Sequence, residues 1–163
     1  MPVTVRRLVP ADAEDYRAIR LASLAREPDA FGSVHAVEAV RPLADFAERL
    51  ASSSVFGAYA DGGLVGVAGF KQQTGPKDQH KGFVWGMYVQ GDWRGRGVGR
   101  ALMDAVIDAA RGTVEQLTLA VVQGNDAAMA LYRKAGFEVY GVEPRALKSA
   151  AGYADEVLMV RRL

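Results

Sequence analysis

Apolar residues recur along this chain in two rhythms, an alternating one and a helical one, and their succession predicts an order of elements. Val3 to Leu8 is short and β-prone, and from Pro10 to Glu27 the positions Tyr16, Ile19, Leu21 and Leu24 recur at helical spacing. Pro28 to Arg41 has no clear period, while Pro42 fits the first turn of a second helix running to about Ser52. Val55 to Ala60 and Leu64 to Gln73 read as strands joined by Asp61, Gly62 and Gly63, residues suited to a hairpin turn. A loop through Gly75 and Pro76 leads to a strand over Phe83 to Val89. After the Gln90 to Arg96 loop comes a helix with Val98, Leu102, Val106 and Ala109 on one face and Arg100, Asp104, Asp108 and Arg111 on the other. Leu117 to Val122 is a further strand and Asn125 to Ala135 a short helix stopped by Gly136. Phe137 to Val142 and Glu156 to Val160 are closing strands.

This order predicts an α/β (mixed α+β) fold. The fourth and fifth strands, joined through a helix, should lie parallel in a right-handed crossover, with antiparallel hairpins around them and helices on the flanks. The chain has 163 residues, half of them hydrophobic, which suits one domain over 1–163 with a single sizeable core. Twenty Lys and Arg against nineteen Asp and Glu leave a charge of +1, so no global field would draw nucleic acid or an anionic membrane. Without cysteine there is no disulfide framework, thiolate nucleophile or thiolate metal site. Arg6, Arg7, Asp12, Glu14 and Asp15 interrupt any signal-like apolar core near the start, and no apolar run is long enough to cross a bilayer. A cytoplasmic location is the expectation.

Candidate chemistry concentrates in two segments. Trp93-Arg94-Gly95-Arg96-Gly97-Val98-Gly99-Arg100 lies between a strand and an amphipathic helix. Glycines there admit positive φ and a close backbone approach, the first helix amides point at an anion, and three arginines add counter-charge, so loop and helix start form a pyrophosphate cradle. A dinucleotide fingerprint would need glycine at position 100 or 102, where Arg100 and Leu102 stand, and no Gly-Lys-Ser or Gly-Lys-Thr of a Walker loop occurs. The second segment runs from Asn125 through Ala130-Leu131-Tyr132 to Gly136-Phe137. Read singly, Asn125 is a helix N-cap and Leu131 and Phe137 are core.

Taken together, Arg94-x-x-Gly97-x-Gly99 after a strand, then Asn125, Ala130-Leu131-Tyr132 and Gly136-Phe137, resemble the GNAT superfamily of N-acetyltransferases. The resemblance is strongest over Phe83 to Phe137. It implies a mostly antiparallel sheet of about six or seven strands, splayed between strands four and five and flanked by about four helices. It implies acetyl-CoA as co-substrate and no metal. Met87, Tyr88 and Val89 would pair with the pantetheine arm as a further strand. Arg94, Gly95, Arg96, Gly97, Val98, Gly99 and Arg100 would hold the pyrophosphate, and Asn125 would contact the pantetheine chain. Tyr132 would stand near the thioester sulfur as the catalytic proton donor, since a phenol of ordinary pKa about 10 is of comparable basicity to the leaving thiolate. Val89 N–H would polarise the carbonyl.

The general base is not named by the sequence. Positions that carry a Glu in some family members are Phe83 and Ala120 here, leaving His80, Glu38 or an ordered water. The resemblance implies an amine acceptor, and a small-molecule amine and a protein or peptide amine are both open. Phe31 to His35 reads as an acceptor loop or a packed connection, with Trp85 and Trp93 as wall or packing residues. Ala146 to Asp155 reads as a second wall or as a subunit contact that would make a homodimer. Rival readings are a non-catalytic CoA-binding sensor, against which Tyr132 speaks, and a nucleic-acid module, against which the near-neutral charge speaks.

Overall fold

A computed structural model describes residues 2–163. Its elements are β1 (Thr4–Arg7), α1 (Ala13–Arg26), α2 (His35–Ala39), α3 (Leu43–Ser52), β2 (Ser54–Ala60), β3 (Gly63–Gln72), β4 (Lys81–Val89), α4 (Val98–Arg111), β5 (Gln116–Val122), α5 (Asp126–Lys134), β6 (Glu138–Ser149) and β7 (Gly152–Arg162). The seven strands form one sheet in the order β1-β2-β3-β4-β5-β7-β6. Every pairing is antiparallel except that of β4 with β5. The β2–β3 turn is the two residues Asp61 and Gly62, both at positive φ (52° and 78°), the mirror-image turn that suits twisted strands.

Helices cover both faces of the sheet. Against one, α4 buries Val98, Leu102, Met103, Val106, Ile107 and Ala110 onto Leu117, Leu119, Val121, Val157 and Met159. Tyr132 and Phe137 close that core. Against the other, Tyr16 and Ile19 of α1 and Phe46 and Leu50 of α3 pack on Val55, Val67 and Tyr88. No helix among the described residues is long and apolar enough to cross a membrane.

Several local expectations change. Ala110, not Ala109, completes the buried face of α4, and Leu21 lies beside rather than on the buried face of α1, which Arg20 occupies instead. Pro42 is the extended N-cap of α3, because its φ of −65° fits a residue just ahead of the helix as well as one inside it. The aperiodic 28–41 stretch contains the one-turn α2, whose Glu38 alone is buried, so it shows no apolar period. The last two strands run to Ser149 and from Gly152, so Ala146 to Asp155 is mostly hairpin. Half-exposed strands carry polar residues on both faces there, which hides their length from the sequence.

Candidate functional site

The opening in the sheet comes from a local irregularity in β4. Gly69 pairs with Trp85 and Val67 with Tyr88, so Gly86 and Met87 together stand opposite Ala68, a β-bulge with Gly86 at φ 69°. A bulge bends its strand, and β4 accordingly pairs with β5 only over Lys81–Phe83 against Gln116–Thr118. Beyond these residues the two strands part. Gln90 N–H donates to Val65 O at 2.9 Å, so Val89 presents its own N–H and C=O to the opposite edge, facing the gap. Arg94 Nε takes that carbonyl at 3.0 Å, leaving the Val89 amide for a ligand.

At the mouth of the gap Gly95 and Gly97 both have positive φ (72° and 80°), and Gly97 is the left-handed N-cap of α4. The first helical N–H with a partner is Ala101, on Gly97 O at 3.0 Å, so the amides of Val98, Gly99 and Arg100 are unclaimed by the helix. This is an anion cradle of backbone amides at a helix N-terminus. Gly99 has a different role, since an added Cβ would sit 3.2 Å from Leu131, where α5 crosses α4.

The arginines are less free than their number suggests. Arg94 Nη2 meets Glu27 Oε1 at 2.8 Å, tying the loop to α1. Arg100 bonds Asp104 Oδ1 at 2.9 Å and Lys134 O at 3.0 Å. Arg96 lies over the Trp93 ring at 4.9 Å, outside both pairings.

Asn125 caps α5, its Oδ1 accepting from Ala128 N–H at 3.3 Å, which leaves its amide NH₂ for another partner. Tyr132 is 8% exposed and packs edge-on against Phe137, ring centroids 6.1 Å apart. Burial pushes its phenol up to about 12, above the ordinary value near 10, so the proton is held firmly through neutral pH.

Of the base candidates, the structure removes two. His80 lies at the other end of the β4–β5 pair, in a concavity of about 720 Å³ with Arg111, Glu115 and Arg162, away from the gap. Glu38 is buried and accepts from Arg49 at 2.7 and 2.8 Å and from Arg20 Nε at 3.3 Å. Burial alone would raise its carboxyl, but the Arg49 hydrogen bonds and the two guanidinium charges outweigh this and hold it below the usual range. It is a structural anion. Arg20 is itself buried, bonded to Ser33 Oγ at 2.9 Å and lying 5.7 and 5.8 Å from the Phe31 and Trp85 rings, so it fixes the 31–33 segment against β4. The 28–30 turn lies against β5, and a Cβ at Gly32 would stand 3.5 Å from Leu147 of β6.

A sheet split between parallel neighbours, with an amide cradle at its mouth, is the layout of an α/β domain built around an extended ligand with a phosphate end. The model of the acetyltransferase (GNAT) family matches residues 18–137, and the chain belongs to that family. It is 40% identical over 108 residues to the N-alpha-acetyltransferase RimI of Mycobacterium tuberculosis, covering 64% of this chain and 65% of that protein, just under two thirds of its length. It is 29% identical over 157 residues to the L-amino acid N-acetyltransferase AaaT of Escherichia coli, covering 93% and 94% of the two chains. The fold matches that of yncA from Salmonella typhimurium, solved with its cofactor acetyl-CoA, with a TM-score of 0.85, 22% identity and coverage of 100% and 95%.

Proposed function

We propose that this chain is a single-domain, acetyl-CoA-dependent N-acetyltransferase that moves the acetyl group to a primary amine of a small molecule or peptide by direct attack on the thioester. The observation that carries the reading is the β4–β5 gap with unpaired amides at both ends, Val89 N–H inside and the 95–100 cradle at the mouth. The Met87 to Val89 edge would take the amide groups of the pantetheine arm, Asn125 its flank, and the cradle with Arg96 the pyrophosphate. Val89 N–H would then donate to the carbonyl oxygen as charge builds there. The Tyr132 hydroxyl would serve the departing sulfur. The acceptor would enter from the α1–α2 side, under Phe31 to Ser33.

Gly97→Val tests the cradle. A β-branched residue at φ 80° is strained and would reorient the amides. The acetyl-CoA dissociation constant measured by calorimetry should rise tenfold or more, about 1.4 kcal/mol. Unchanged affinity rejects the site. The apolar Phe83 and Ala120 favour one alternative, a CoA-binding sensor without turnover. Free-thiol release from acetyl-CoA with a panel of amines distinguishes it from the enzyme.

A further inference from the structure

The transfer needs a group that takes a proton from the acceptor nitrogen, and the N-terminal helices place their nearest carboxylates elsewhere. Glu38 is held by two arginines and Glu27 by Arg94. The sheet narrows the search. Val84, Leu117, Leu119, Val121, Val157 and Met159 point into the α4–α5 core, so strand alternation turns Phe83, Thr118, Ala120, Val122, Glu156 and Leu158 to the acceptor face. Glu156 is the one acid in this set. It stands directly opposite Val122 at the end of β5 and, on its other flank, opposite Glu143 of β6.

Resting on the transferase reading above, we propose that Glu156 is the general base, reached from the acceptor nitrogen through one ordered water, and that Glu143 is the positioning charge that keeps it a usable base. Only β5, a strand spacing of about 4.8 Å, separates Glu156 from the gap. The side chains that a bridging water would lie over, Ala120 and Val122, are short and apolar. Glu156 is half-buried, and burial first, then the like charge of Glu143, pushes its carboxyl above the ordinary glutamate range. Three other acids lie on the surrounding elements, and Glu138 of β6, opposite Val160, shares the face of Glu156 several residues further along the strand pair. Asp155 accepts from Arg145 N–H at 2.8 Å on the opposite face of β7, and Asp29 of the turn against β5 is exposed.

In the step, the acceptor ammonium gives one N–H proton to the water, which passes a proton to the Glu156 carboxylate, and the freed lone pair adds to the thioester carbon and forms the C–N bond. Collapse breaks the C–S bond and the electron pair leaves on sulfur, which takes a hydrogen bond from Tyr132 and is protonated from solvent, while the adduct nitrogen releases its second proton to solvent. Glu156 then returns its proton to solvent.

The test compares the parent with Glu156→Gln and Glu143→Gln in single-turnover acetylation of L-methionine, spermidine, kanamycin and an alanine-initiated tripeptide, beside acetyl-CoA affinity. Glu156→Gln should slow the chemical step about 10²-fold or more while leaving acetyl-CoA affinity within about twofold. Hydroxylamine, already unprotonated at neutral pH, should suffer much less from the same substitution. Glu143→Gln should move the acid limb of the pH–rate profile to lower pH and lower the plateau rate a few-fold, because removing a like charge favours the ionised form and makes it a weaker base. A Glu156→Gln rate equal to the parent, or an acid limb unmoved by Glu143→Gln, overturns the assignment while the transferase reading stands. A parent that binds acetyl-CoA and acetylates none of these amines defeats the transferase reading, and the base with it.

Discussion

Tyr132 reaches its place because α5 starts at a capped Asn125 and stops at Gly136, which sets the ring edge-on against Phe137. Its phenol, raised to about 12, is a weaker acid than the unperturbed group from which the sequence argument starts. Against a thiol of ordinary pKa near 8.5, full transfer would be uphill by about 5 kcal/mol, so in the proposed role Tyr132 would donate a hydrogen bond to sulfur while solvent supplies the proton. Tyr132→Phe should leave acetyl-CoA affinity within about twofold, since the ring still packs, and lower the single-turnover rate by about 10²-fold. In the parent, no loss of rate from phenol ionisation should appear until the pH approaches about 12. An unchanged rate in the Phe variant would assign the role to water.

At the scale of elements, one glycine stands where the sheet opens. Gly86 holds φ 69° in the β4 bulge, with the Arg20 guanidinium 3.7 Å from where a Cβ would stand. Gly86→Val should therefore remove the bulge or strain it, at a cost of roughly 1–3 kcal/mol, and shift the Met87–Val89 edge that faces the gap. Gly62, at φ 78° in the distant β2–β3 turn, is a matched control, because a Cβ there meets nothing within 4 Å. Both variants should melt earlier, but only Gly86→Val should also weaken acetyl-CoA binding, by about tenfold. Equal affinities in a calorimetric comparison would show that the bulge does not shape the site.

Across the whole molecule, Glu38 joins the three N-terminal helices, taking Arg20 from α1 and Arg49 from α3 onto α2. Removing the carboxylate strands two guanidinium groups around one site, so Glu38→Gln should cost about 3 kcal/mol. The acid dependence follows from the sign of the shift. Glu38 titrates below its ordinary range when folded, so its contribution is full above the unfolded value and is lost as pH falls through the folded one. Denaturant midpoints of the parent should drop over that acidic window, and those of Glu38→Gln should drop less. Glu156 has the opposite sign, its raised carboxyl costing stability at neutral pH.

What the sequence alone determined was local. The β4–α4–β5–α5 succession, the glycines at 95 and 97 and the cap at Asn125 follow from φ preferences, periodicity and capping, all of which act within a few residues. The tertiary structure decided which charges are free. Glu38, His80 and Glu156 are equally plain in the sequence, yet pairing buries the first, strand direction carries the second to the far end, and β7 inserted between β5 and β6 sets the third one strand away from the gap. Strand order and burial arise from contacts between residues far apart in the chain, and it is those contacts that set a carboxylate's proton affinity and its distance from the bond being made.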